Sequence, residues 1–329
     1  MSQFDIRNAD ESYGLFNFLE RTVRSSLFRN GKVGTNRDPA GNDFCTFGLS
    51  LEEKKLAVID ARALTERERP NWHANGFELL DAPLNGEEFD YFNHHCVVRD
   101  YYEHCAKLVA RHTHARVYPF DHNIRSASGK RAKKRVIGGQ QVQEPLHMVH
   151  GDYTLLSAPQ RLRDLTRPPG GNDTLGSILL NGDSLINAED AHYVLEDGRF
   201  AIINVWRNIA SAPIEVRPLA LCDARSVVPN DLVVFEIHYQ DRIGENYFAK
   251  YSPSQRWFYY PRMTRDEVLL IKQWDSCGVL AKSKGALSDA TDTNAPCTFS
   301  FHSAYDDPRS PPDAPDRWSI EVRCMVVFD

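Results

Sequence analysis

Short apolar runs separated by turn-forming residues dominate the second half of the chain. Phe200 to Trp206, Pro218 to Cys222, Leu232 to His238, Arg256 to Tyr260, Cys297 to Phe301 and Trp318 to Phe328 each read as a strand, rich in β-branched and aromatic residues. Leu56 to Asp60, Phe77 to Ala82 and Ala115 to Phe120 extend the series towards the N-terminus. One helix stands out between Glu87 and Ala115, where Phe89, Phe92, Val97, Tyr101, Cys105, Leu108 and Val109 recur at three- and four-residue spacing. Thr264 to Trp274 is expected to be helical, with Thr264 as N-cap and Asp266 and Glu267 in the first turn. A short helix is expected within Ser12 to Phe28, weakened by Gly14. Residues 166–173, 276–296 and 305–317 read as loops. So many strands with turns between them predict a mainly β protein, a sandwich or barrel rather than βαβ units.

Composition adds bounds. The 329 residues are 42% hydrophobic and 26% charged, enough for a sizeable core. A net charge of -6 gives no global basic field, so neither nucleic acid nor an anionic membrane is an expected partner. No apolar run approaches the roughly 20 residues of a membrane helix, and the first residues lack the apolar core of a secretory signal. The seven cysteines are scattered without a CxxC pair, which argues for reduced thiols, a cytoplasmic location and no zinc ribbon. GxGxxG, Walker A, GxSxG and HExxH patterns are all missing.

The chemistry concentrates at Met148-Val-His-Gly-Asp-Tyr-Thr154. On an extended strand His150 and Asp152 point to the same face, and Gly151 leaves the other face open to close approach. An imidazole and a carboxylate side by side are two parts of the 2-His-1-carboxylate triad that holds non-haem Fe(II). A third ligand must come from a distant strand. His302, ending the run from Cys297, fits; His238, within the Leu232 strand, is the rival, although an edge-strand role suits it better. The five histidines of the Glu87–Ala115 helix read as surface polar groups. Downstream, alternation puts Arg317, Ser319, Glu321 and Arg323 on one face. A guanidinium with a hydroxyl two residues on makes a grip for a carboxylate. The basic stretch from Arg125 to Arg135 reads as a solvated loop before the His150 strand, able to attract an acidic small molecule.

Taken together, Val149 to Thr154, Asn204-Val-Trp-Arg207, Pro218 to Asp223, Trp257 to Leu270, His302 to Pro308 and Ser319-Ile-Glu-Val-Arg323 resemble the CmcJ/AsaB-like hydroxylase/desaturase family of secondary metabolism. The family's Asn-Val-Trp-Arg is commonly followed by Pro, where this chain has Asn208. The resemblance implies a double-stranded β-helix (jelly-roll) core with flanking helices over 115–329, and an N-terminal segment, 1–114, packed on it within one compact body. It implies an enzyme that uses Fe(II), 2-oxoglutarate and O2 to hydroxylate or desaturate a small molecule by hydrogen abstraction. His150, Asp152 and His302 would be the metal ligands, and Arg317 and Ser319 would hold 2-oxoglutarate. Tyr153, Asn204, Arg207 and Tyr259 are candidates for the substrate pocket. Two alternatives stay open: a cupin-like metal enzyme that does not use 2-oxoglutarate, and a non-catalytic β-barrel binding protein.

Overall fold

The computed structural model describes residues 12–38, 43–86, 88–170, 173–179, 182–240, 242–285 and 295–329. Its strands, numbered in chain order, form two sheets. The larger runs β1 (Ser12–Leu19), β4 (Leu51–Asp60), β12 (Trp257–Tyr259), β9 (Leu219–Cys222), β14 (His302–Ala304), β7 (His150–Gly151), β11 (Ile243–Ala249), β10 (Leu232–His238), β2 (Gly34–Arg37), β3 (Asp43–Phe47). The smaller runs β5 (Phe77–Asp81), β13 (Glu267–Asp275), β8 (Arg199–Asn208), β15 (Ser319–Phe328), β6 (Arg116–Arg125). Pairing is antiparallel except for β2 on β10 and β12 on β4. The sheets pack face to face as the jelly roll that the sequence led us to expect. The first 114 residues supply strands to both sheets, β1 to β4 in the larger and β5 in the smaller.

The inner strands of the smaller sheet explain their own sequences. β8, β13 and β15 are buried almost end to end. One face meets the larger sheet. Towards the β6 edge, the other is covered by the helix Tyr102–Thr113, whose Tyr102, Cys105, Leu108 and Val109 are buried. A strand covered on both sides reads as a continuous apolar run, without alternation.

That is why Thr264 to Trp274 misleads. The segment is not a helix but the approach to β13 and most of β13 itself. The Thr264 amide does donate to Glu267 Oε2 at 2.9 Å, as a capping residue would, but the contact closes a turn and an extended chain follows. Ser12 to Leu19 is also a strand rather than a helix. Ser12, Gly14, Phe16 and Phe18 alternate into the core, and a Cβ on Gly14 would collide with Tyr305. The long helix begins only at His94 and ends at Thr113, with His114 in the left-handed region at φ 54°. Its histidines are less superficial than expected: His94 is buried and its Nε2 lies 2.8 Å from Ser177 Oγ. Cys297 to Phe301 is not assigned to a strand; regular pairing there begins at His302.

The basic stretch is an ordered structure rather than a bare loop. Ala127–Arg131 forms a helical turn whose cap, Ser126, accepts from the Gly129 amide at 3.1 Å. Asp316 Oδ2 ties it down by accepting from the Ser128 amide at 2.6 Å. Lys134 then lies over the rings of Phe92 and Trp318.

Candidate metal centre

Register brings the two imidazoles together. Across the larger sheet, Phe258, Leu221, His302, His150 and Phe248 stand opposite one another in one row. Partners in such a row share a face, so both histidines point inward, with ring centroids 4.2 Å apart. Asp152 follows one residue beyond β7, its Oδ1 3.6 Å from His150 Nε2. One ligand atom from each of His150, Asp152 and His302 lies within 4.8 Å of the others. Gly151 is needed between them: a Cβ there would come to 2.9 Å from the Phe299 ring. His150 Nδ1 donates to the Met148 carbonyl at 2.8 Å. Such a bond fixes the ring and leaves the other nitrogen for a metal. On the other imidazole, His302 Nδ1 lies 3.5 Å from Gln273 Nε2.

The smaller sheet sets the charge. Its row Ile271, Asn204, Arg323, Asp121 faces the carboxylate. Asn204 Nδ2 donates to Asp152 Oδ2 at 2.9 Å, and Arg323 Nε donates to the same oxygen at 3.1 Å. The Asp152 amide donates to Gln273 Oε1 at 2.9 Å. Burial works against the Asp152 charge, yet Arg323, the imidazoles and the Asn204 bond together hold its carboxyl well below the usual range. Burial, then the neighbouring His302, push His150 down to about 3. Burial lowers His302 too, partly opposed by Asp152. Neutral imidazoles beside an ionised carboxylate are the protonation states that metal ligation requires.

A second polar group lies further along the same face. Ser319 stands opposite Asn208 on one side and Arg125 on the other. Arg317 Nη1 donates to the Arg217 carbonyl at 2.5 Å, and its guanidinium lies 5.5 Å from the Trp206 ring. Burial, then the charge of Arg125, push Arg317 down to about 9. Arg317 Nε, Ser319 Oγ and Asn204 Oδ1 are buried without a partner. Unsatisfied buried polar atoms are rare and costly, so three of them along one face indicate a polar ligand. A narrow pocket runs along Arg125, His150, Trp206, His302, Arg317 and Glu321. The residues present therefore fit a hard divalent or ferrous ion at one end and a carboxylate at the other.

Other candidates fall elsewhere. Tyr153 is packed against the core beside the charges of Arg323 and Arg161. Arg207 is fully buried on the opposite face of β8 and donates to Tyr101 Oη and to the carbonyls of Ala82 and Arg265. Tyr259 lies one residue past Phe258, hence on the outer face of the larger sheet, where its hydroxyl accepts from Arg309 at 2.8 Å. His238 pairs with Glu236 at 3.0 Å and stacks edge-on against Phe47. Asn208 replaces the family's proline by bonding the turn directly, donating to Ala212 O at 2.8 Å and Met263 O at 3.1 Å. Sequence reasoning missed the roles of Gln273, Asp121 and Arg323. Only Arg323 carried a signal, its place in the alternation with Arg317 and Ser319.

A family model described as an oxidoreductase/YMDC permease-like domain (YDMC) matches residues 17–178 and 183–327. A protein of Methylophilus leisingeri, named only as uncharacterised and encoded in the dcmA 3′ region, is 43% identical over 59% of this chain and 88% of its own. The hydroxylase/desaturase efuI of Hormonema carpetanum is 28% identical over 92% of this chain and 90% of its own. Among solved structures, the iron and alpha-ketoglutarate-dependent endoperoxidase NvfI superposes with a TM-score of 0.70 at 23% identity, covering 98% of this chain and 99% of that one. Matched along nearly its whole length, the chain belongs to the YDMC family, and it is kin to the hydroxylase/desaturase enzymes that its motifs resemble.

Proposed function

We propose that this protein is an Fe(II)- and 2-oxoglutarate-dependent oxygenase that hydroxylates or desaturates a small-molecule secondary metabolite, with His150, Asp152 and His302 as its iron ligands. The observation that carries the reading is the joint one: three convergent ligands and, lining one pocket with His150 and His302, Arg317 with its orphaned Nε. Names borne by relatives point the same way, hydroxylase/desaturase for efuI and iron and alpha-ketoglutarate-dependent endoperoxidase for NvfI. Fe(II) bound by the triad would supply O2 activation coupled to decarboxylation of the 2-oxo acid, and so the removal of hydrogen from the substrate.

The chain's own groups divide the work. His150 binds through Nε2, the nitrogen that its bond to the Met148 carbonyl leaves free, and His302 binds beside it. Asp152 binds through Oδ1, while Asn204 and Arg323 hold Oδ2 and keep the carboxylate ionised and oriented. Arg317 and Ser319 receive the far carboxylate of 2-oxoglutarate, the guanidinium by a forked pair of bonds and the hydroxyl by one. Trp206 and Leu219 give the pocket an apolar wall.

An acidic substrate is favoured by the exposed cations of the segment ending at Arg135, which packs by Gly129 and Lys134 against Trp318, next to Arg317. The segment before residue 115 supplies edge strands and is the natural source of substrate selectivity. No helix among the described residues is long and apolar enough to cross a membrane. The cysteines of the described residues are free thiols, as in a reducing cytoplasm.

The test is spectroscopic. Under anaerobic conditions, Fe(II) and 2-oxoglutarate added together should produce a weak visible metal-to-ligand charge-transfer band. No band at saturating ligand would sink the proposal. A cupin-like enzyme would bind the metal without it, and a non-catalytic barrel would bind neither.

A further inference from the structure

The hydrogen-bonded network around Asp152 does not end at Arg323. Each of the three guanidinium nitrogens of Arg323 meets a different carboxylate. Nε donates to Asp152 Oδ2 at 3.1 Å, Nη2 to Glu321 Oε1 at 3.2 Å and Nη1 to Asp121 Oδ2 at 2.8 Å. Asp121, on β6, turns its second oxygen away from the sheets. Thr174 Oγ1 donates to Asp121 Oδ1 at 2.6 Å, the short length of a charge-assisted hydroxyl–carboxylate bond. Thr174 opens the turn Thr174–Ser177, which lies against β6. Other groups fix this turn independently. His94 Nε2 lies 2.8 Å from Ser177 Oγ and 3.1 Å from the Thr174 carbonyl oxygen. Arg161 Nη1 pairs with Asp173 Oδ1 at 2.9 Å, and Leu175 is buried.

A guanidinium is planar and rigid, so its nitrogens cannot be aimed separately. Nε must hold Asp152 Oδ2 in the one orientation that leaves Oδ1 for a metal. That orientation is set where the fork meets Asp121. A carboxylate bound through one oxygen can still turn about its last bond, which is a soft torsion; one bound through both cannot. The Thr174 hydroxyl supplies the second bond. We propose that Thr174 is a positioning residue of the metal centre: acting through Asp121 and Arg323 it orients Asp152, so that the turn Thr174–Ser177 and an ion at the triad stabilise one another. The inference rests on the reading of His150, Asp152 and His302 as the metal ligands, and extends it to a residue that bonds none of them directly. Such coupling is reciprocal: the factor that the turn adds to metal affinity is the factor that the metal adds to the stability of the turn.

Anaerobic calorimetry with Fe(II) on the full chain tests the first half. T174V, which keeps the shape and removes the hydroxyl, should bind Fe(II) about tenfold more weakly than wild type. T174S, which keeps the hydroxyl, should bind as wild type does. Hydrogen exchange tests the reciprocal half. In wild type, the amides of residues 173–179 should exchange about tenfold more slowly with Fe(II) than without it. Those of the helix Ala188–Glu196, which among the described residues has no bond to the network, should not change. In T174V the protection of 173–179 should disappear. Wild-type affinity in T174V overturns the proposal whatever its urea midpoint, as does T174S binding as weakly as T174V. Wild-type amides at 173–179 that are indifferent to Fe(II) overturn it too, and that measurement stands even if T174V does not fold. Failure of the underlying reading looks different: wild type would then bind no Fe(II), or H302A would bind it undiminished.

Discussion

Arg323 donates through Nε to Asp152 Oδ2 at 3.1 Å, from the opposite sheet. The same guanidinium reaches Asp121 at 2.8 Å and Glu321 at 3.2 Å, so three carboxylates converge on one cation in the interior. Removing one member of such a buried network strands the others. R323Q should therefore lose roughly 3–5 kcal/mol of stability, seen as a lower urea midpoint. Its affinity for Fe(II) should fall as well, because Asp152 loses the partner that orients it.

The choice of the distal ligand is sharp. H302A should abolish Fe(II) binding in anaerobic titrations and with it the visible band. H238A should leave both intact, since His238 is engaged with Glu236 and Phe47. The reverse result would move the metal centre.

Arg317 and Ser319 separate cosubstrate from metal. R317A should keep Fe(II) but lose about 3 kcal/mol of 2-oxoglutarate affinity, roughly a hundredfold. S319A should lose about 1 kcal/mol, roughly fivefold. Titration of the charge-transfer band measures both. A band of wild-type affinity in R317A would show that the acid binds elsewhere.

Arg207 is a structural pin rather than a pocket residue. Its guanidinium satisfies the carbonyls of Ala82 and Arg265 and the hydroxyl of Tyr101, locking β8 to the N-terminal half of the chain. R207M should destabilise the fold by roughly 3 kcal/mol while folded protein binds Fe(II) and 2-oxoglutarate normally. A changed affinity with unchanged stability would contradict this.

Acid should weaken the protein through its buried imidazoles. Burial pushes His122 down to about 4, against the pull of Asp121, and lowers His94 as well. Unfolded histidines protonate near pH 6.5, so below that pH the unfolded chain binds protons that the folded chain refuses. Stability is therefore present above about pH 6.5 and is lost progressively as pH falls towards 4. Urea midpoints from pH 7 to pH 5 should show the loss. H122Q should make the slope shallower by up to about 1.4 kcal/mol per pH unit.

Much of the site could be read from the chain because strands impose a strict geometry. Alternation suffices to pair His150 with Asp152 and Arg317 with Ser319 in the sequence, although Asp152 and Arg317 lie just outside β7 and β15. What could not be read depended on pairing between distant strands. Nothing local in Asp121 announces that it will stand opposite Arg323. Gln273 lies in a run that mimics a helix because both of its faces are buried. Arg207 and Tyr259 sit in the right strands but on the wrong sides, and only register reveals which side is which.

The division of the centre between two sheets has a mechanical consequence. The proposed ligands His150 and His302 stand on the larger sheet, and Asn204 and Arg323, which complete the environment of Asp152, stand on the smaller. An ion held by the triad would act as a rivet through the seam between them. Iron affinity then becomes a gauge of how tightly the two layers are pressed together, sensitive to any change that lets them part, however far from the histidines it is made.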